Sequence, residues 1–133
     1  MTRRAVAALW LAVASLSAAG FDPAKDVALS VARGNLQIAL PPGVHLACRR
    51  FKVALIQGAG RLSVGPLPAP SGKDAAGDPV WRGSVRVPLQ LVGASGPVVL
   101  RVTFQPCTEG PDSVCFLPRH RDLAVDPAAS GLR

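Results

Sequence analysis

The strongest regularity along the chain is an alternation of apolar and polar positions with a period of two. Val85, Val87, Leu89 and Leu91 alternate with Ser84, Arg86 and Gln90, and Trp81 and Gly83 extend the apolar set upstream. In an extended strand successive side chains point to opposite faces, so this segment has one buried and one wet face. Pro88 falls on the outward set. Proline gives a ladder no N–H, so it predicts an edge strand or a bulge there. After the turn Gly93–Pro97, Val98, Leu100, Val102 and Phe104 alternate with Arg101, Thr103 and Gln105, and the two segments read as an antiparallel hairpin. Upstream, Val27, Leu29 and Val31 and then Leu36, Ile38 and Leu40 flank a turn at Arg33–Asn35. Past Pro41–Gly43, His45–Cys48 and Phe51–Gln57 read as strands, with a slip of phase at Arg49–Arg50 that predicts a bulge. Leu62–Val64 gives a further short strand, and Leu123–Val125 is placed to close the sheet. Gly65–Pro79, which carries Pro66, Pro68, Pro70 and Pro79, reads as one loop of a length that is usually functional or disordered.

About seven or eight short strands separated by turns predict an all-β sandwich over residues 21–126. Residues 127–133 read as a flexible C-terminal tail. Composition agrees. The chain of 133 residues holds 13 Gly and 13 Pro, which argues against a helical bundle, since each inside a helix costs about 1–3 kcal/mol. Hydrophobic residues make up 49% and charged residues 17%, which excludes wholesale disorder.

The N-terminus departs from the strand pattern. Met1–Arg4 is cationic, Ala5–Leu16 is apolar apart from Ser15, and Ser17–Gly20 is small. This order matches a cleavable helical signal peptide over residues 1–20, with cleavage after Ala19 or Gly20. The competing reading is a membrane anchor, but the uncharged run Ala5–Phe21 falls short of the ~20 residues a spanning helix needs. Export implies a soluble mature protein in an oxidising compartment. Removing the leader takes Arg3 and Arg4 and no acid, so the net charge falls from +7 to +5. The remaining basic residues are scattered and few aromatics accompany them, so no nucleic-acid binding is expected.

Three cysteines are an odd number, so at least one is free, holds a metal or meets a partner. Cys107 and Cys115 bracket the turn-rich stretch Thr108–Val114. Cysteines facing each other across a non-hydrogen-bonded antiparallel pair lie close to bridging distance, which makes a Cys107–Cys115 disulfide geometrically plausible. Spacing alone favours a structural staple, worth about 2–3 kcal/mol for so short a loop. Cys48 is either a buried free thiol or a partner for another cysteine, in this chain or a second one. His45, beside the Pro–Gly turn, reads as a surface residue. Cys107, Cys115 and His120 do not have a familiar zinc spacing, so neither metal nor cofactor is expected. No Ser–His–acid set, phosphate loop or paired catalytic carboxylate stands out.

The segments around the cysteines carry a resemblance. Val102, Thr103, Phe104, Gln105 and Cys107, followed by Cys115, Phe116 and Pro118, resemble the cysteine region of the N-terminal periplasmic domain of DsbD-type thiol:disulfide interchange proteins. Leu36–Leu40, Pro42–Gly43, Leu46 and Arg50–Phe51 match a second stretch of that family, and Trp81–Arg82–Gly83 before Val85–Leu89 matches a third. The resemblance implies an immunoglobulin-like sandwich with Cys107 and Cys115 as a reversible redox pair and Cys115 as the nucleophile. It also implies thioredoxin-fold periplasmic partners and a membrane thiol-electron transporter acting in trans as donor. Asp74, in the region matching the family's cap loop, Phe116 and His120 are supporting candidates. Folded back, Arg119–Arg121 would lower a thiol pKa; a solvated basic turn is the alternative. The chain departs from the family in a longer loop between the cysteines, in Val44, His45 and Ala47 where tyrosines stand near the Pro–Gly turn, and in the lack of Phe or Tyr in Ser71–Pro79. The alternative function is a non-catalytic binding module whose disulfide is structural.

Overall fold

The computed structural model describes residues 20–132. The leader expected over residues 1–20 lies, but for Gly20, outside them. The described chain is an immunoglobulin-like β-sandwich without an α-helix. Its strands are β1 (Ala28–Ala32), β2 (Asn35–Ala39), β3 (Val44–Ala47), β4 (Lys52–Gln57), β5 (Arg61–Val64), β6 (Gly72–Lys73), β7 (Pro79–Arg82), β8 (Ser84–Val92), β9 (Val98–Phe104), β10 (Pro106–Thr108) and β11 (Arg119–Val125). They form three antiparallel sheets, ordered β1-β2-β8-β5, β10-β3-β7-β6 and β11-β9-β4.

The expected first hairpin forms in register, with Ala32 opposite Asn35. Its two-residue turn holds Arg33 at φ 54° and Gly34 at φ 76°, both left-handed, as turns that match strand twist require. The second expected hairpin does not form. β8 pairs with β2 and β5, whereas β9 pairs with β4 and β11. The link Gly93–Pro97 carries the chain from one sheet to another. The apolar faces of β8 (Val85, Val87, Leu89, Leu91) and β9 (Val98, Leu100, Val102, Phe104) thereby join one core instead of lying side by side. Alternation fixes which face is buried, not which strand lies next to it.

Five further expectations are corrected. The alternating run from Trp81 is two strands, because Gly83 at φ 71° breaks it. Pro88 does not mark a sheet edge: it sits within β8, where pairing with β2 ends at Asn35 and pairing with β5 begins at Leu89. Its missing N–H falls at the seam of two half-ladders, and its carbonyl still accepts from Gly65 N. The phase slip before Phe51 is a 3₁₀ turn over Cys48–Arg50, and the irregular register lies later, between Leu55 and Gln57. Within the long expected loop, β6 adds to the edge of β7. Arg119–Arg121, expected as a turn or a fold-back, is the first half of β11, paired along β9.

The segment after β11 is also more ordered than a flexible tail. Ser130 O accepts from Gly34 N and Leu132 O accepts from Leu91 N, each at 2.8 Å. Leu132 is fully buried. These residues cover β8 where β2 has ended.

Candidate functional site

The cysteine region is built at one end of the sandwich. β10 is the outer strand of its sheet and pairs with β3 on one side only. On its free side Cys107 meets Cys115 in a single antiparallel bridge. Thr108 N donates to Val114 O at 2.8 Å and Phe116 N donates to Pro106 O at 3.0 Å. The cysteines between these bonds form the non-hydrogen-bonded pair, the closer of the two kinds. Their Cα atoms are 4.0 Å apart and their sulfurs are bonded. The disulfide thus spans the two paired segments, as the spacing of the cysteines had made plausible.

Side-chain bonds hold the return segment in place. Val114 N donates to Thr108 Oγ1 at 3.0 Å, and Gln105 Nε2 donates to Phe116 O at 3.1 Å. The Phe116 ring meets Phe21 edge-on with centroids 5.6 Å apart. Phe116 therefore anchors the exit of the cysteine loop to the start of the described chain. The two cysteines differ in burial: Cys107 is 3% exposed, whereas Cys115 is exposed.

The disulfide lines two clefts. One, of about 410 Å³, is also lined by His45, Lys73, Asp74, Arg82 and Glu109. The other, of about 400 Å³, is lined by Arg49, Arg50, Asp74, Asp78 and Gln105. Asp74, in the loop after β6, lines both. Its carboxylate serves that loop: Oδ1 accepts from Ala76 N and Asp78 N, both at 2.9 Å. A carboxylate bound in this way shapes the turn first. Arg49 Nη1 donates to Asp78 Oδ1 at 3.1 Å and ties the loop to the 3₁₀ turn.

His120 stands in β11 opposite Thr103 and is exposed. It lines neither cleft. Arg121 also points away, donating to Val27 O and Ala24 O and lying 5.7 Å over the Phe104 ring. Cys48 is a free thiol, half-buried against the core. Burial pushes its pKa up, and the backbone hydrogen bond that opposes this is smaller. A raised pKa keeps it a thiol and a poor nucleophile.

The site also contains residues that the sequence pattern missed. His45, read as a surface residue, is buried at 7% exposure. It sits mid-strand in β3, covered by the strands on both sides. Its Nδ1 lies 3.1 Å from Glu109 Oε1, and Arg82 Nε donates to the same carboxylate oxygen. Burial raises the Glu109 pKa, but the hydrogen bonds from Arg82 and His45 outweigh it and hold it below the ordinary 4.5. A carboxylate with a depressed folded-state pKa adds stability above its unfolded value, and that stability is lost as pH falls through the folded value. Glu109→Gln is therefore expected to flatten the acid side of the stability profile below about pH 4.5 while leaving the neutral-to-alkaline side parallel to wild type. Urea midpoints across pH 3 to 7 check this, and parallel curves throughout would contradict it. No grouping of three or more His, Cys, Asp or Glu side chains among the described residues is arranged to hold a metal ion.

Comparison with known proteins adds to this geometry. No family model matches the chain, and no curated protein matches it by sequence. Among solved structures it is similar to the DsbD N-terminal domain of Neisseria meningitidis, crystallised in the reduced form. The identity is 20% and the TM-score 0.56, over 80% of this chain and 89% of that one. A likeness at this level shows a shared fold.

Proposed function

We propose that this chain is an exported thiol:disulfide interchange module that passes reducing equivalents through Cys107 and Cys115 to thioredoxin-fold partners in the periplasm. A membrane thiol-electron transporter acting in trans supplies the electrons. The observation that carries the reading is the asymmetry of the bridge: an exposed Cys115 beside a buried Cys107, with an open cleft on each side. Exchange requires an accessible sulfur and a second cysteine to resolve the mixed disulfide. The dithiol attacks a partner disulfide through Cys115, giving a mixed disulfide and one partner thiolate. Cys107 then attacks Cys115, and the second partner sulfur leaves. Two electrons pass from the cysteine pair to the partner. Exposed Val114 and Leu117, on either side of Cys115, offer apolar contact to a docking protein. The fold shared with a DsbD N-terminal domain supports the same reading.

Cys107→Ser, which removes the resolving thiol, is expected to accumulate mixed disulfides through Cys115 in cell extracts, visible as dithiothreitol-sensitive bands. A redox titration gives the second check. A Cys107–Cys115 potential well below about −300 mV marks a bridge resistant to exchange. With no trapped species as well, the chain becomes a binding module with a structural disulfide.

A further inference from the structure

The cleft on the His45 side contains a charged cluster that sulfur exchange alone leaves unexplained. His45 stands opposite Cys107 in the β3–β10 ladder and opposite Arg82 in the β3–β7 ladder. Directly opposed residues share a face, with Cβ atoms about 5 Å apart. Cys107, His45 and Arg82 therefore form one row across three strands, with the imidazole in the middle. Glu109, two residues beyond Cys107, closes the row by bonding both His45 Nδ1 and Arg82 Nε. No buried side-chain nitrogen or oxygen among the described residues is left without a partner. With Nδ1 taken by Glu109, Nε2 opens to the cleft that the disulfide lines.

We propose that His45, oriented by Glu109 and Arg82, accepts the proton of Cys107 when that cysteine resolves a mixed disulfide. This deepens, and rests on, the exchange function above. Glu109 as acceptor fixes the tautomer with the proton on Nδ1, which leaves Nε2 as the base. The Cys107 proton passes to Nε2, and the thiolate attacks the Cys115 sulfur. The Cys107–Cys115 bond forms as the bond from Cys115 to the partner breaks. The partner sulfur leaves with the electron pair and takes a proton back from the imidazolium. The groups facing His45 are Cys107, Cys115 and Glu109 from the cysteine hairpin, Arg82 from β7, and Lys73 and Asp74 from β6 and its loop. Asp74 is bound within its own loop, so Glu109 is the anion that offsets the imidazolium against Lys73 and Arg82. Glu109 is suited to that part, since it bonds both His45 and Arg82 and its pKa is held below the ordinary value.

The test uses reduced protein in a Cys48→Ala background, mixed with 5,5′-dithiobis(2-nitrobenzoate). The first thionitrobenzoate released reports attack by Cys115, and the second reports its displacement by Cys107. His45→Gln is expected to slow the second phase by about 100-fold or more at pH 7, as loss of a general base does, and to move its pH midpoint up to that of an unassisted thiol. Glu109→Gln, which keeps the imidazole, is expected to move the midpoint down and carries the test if His45→Gln does not fold. A second phase with wild-type rate and midpoint in the folded variants overturns the role of His45 and leaves exchange standing. Absence of the first phase in the parent protein overturns both.

Discussion

Trp81→Ala is expected to destabilise the protein by about 3–5 kcal/mol, the range for truncating a buried tryptophan. Trp81 is 1% exposed and stands opposite Leu46 in the β3–β7 ladder. Its ring meets Phe51 edge-on, with centroids 5.2 Å apart and planes at 79°, an arrangement worth about 0.5–1.5 kcal/mol beyond area. Its Nε1 donates to Pro68 O at 3.1 Å, which pins the proline-rich segment between β5 and β6 to the core. Alanine loses the packing, the aromatic pair and the hydrogen bond together. Trp81→Phe keeps most of the packing and is expected to cost about 1–2 kcal/mol, chiefly the lost bond and some void. Urea unfolding followed by far-UV circular dichroism measures both, since Trp81 is itself the tryptophan of the sandwich core. A cost below about 1.5 kcal/mol for alanine would contradict the packing described. Damage would also reach the site, because the next residue, Arg82, holds Glu109.

Leu132→Ala is expected to cost about 2–5 kcal/mol, the range for a buried leucine. Sequence pattern assigns this residue to a flexible tail, where the same change would cost less than about 0.5 kcal/mol. The side chain is 1% exposed and belongs to the core cluster. Its backbone is fixed by Leu132 N donating to Pro127 O at 3.0 Å and Leu132 O accepting from Leu91 N at 2.8 Å. Gly131, at φ 73°, brings the chain so close that a Cβ there would sit 3.0 Å from Gly34 N. Alanine at position 132 keeps every backbone bond, so the loss isolates the buried side chain. A midpoint in urea within error of wild type would mean that the segment is not docked in solution.

The period-two alternation made β1, β2, β8 and β9 legible, because burial on one face leaves its mark at every second residue. It did not show that β8 and β9 lie in different sheets, since Gly93–Pro97 serves equally well as a hairpin turn or as a crossover. The disulfide was legible as a geometric possibility from its spacing and turn residues. His45 was not. A polar residue in a four-residue strand reads as exposed unless its partners are known, and Glu109 and Arg82 are contributed by distant segments. The signal that could have found them is modest: an acid two residues after a cysteine, just past the end of its strand. Leu132 escaped for a similar reason, since one apolar residue beyond an Asp–Pro pair has no period to reveal its burial.

The bonds flanking the disulfide bear on how long a mixed disulfide lives. Thr108–Val114, Phe116–Pro106 and Gln105–Phe116 join the two cysteine segments without help from sulfur. When the S–S bond opens, these contacts keep the thiols side by side, so each meets the other at a high effective concentration. Under the exchange function proposed above, a partner joined to Cys115 would compete with a neighbour already in place and would be released soon after its capture. On that proposal the encounters would be brief, and a complex long-lived enough to isolate would require the removal of Cys107.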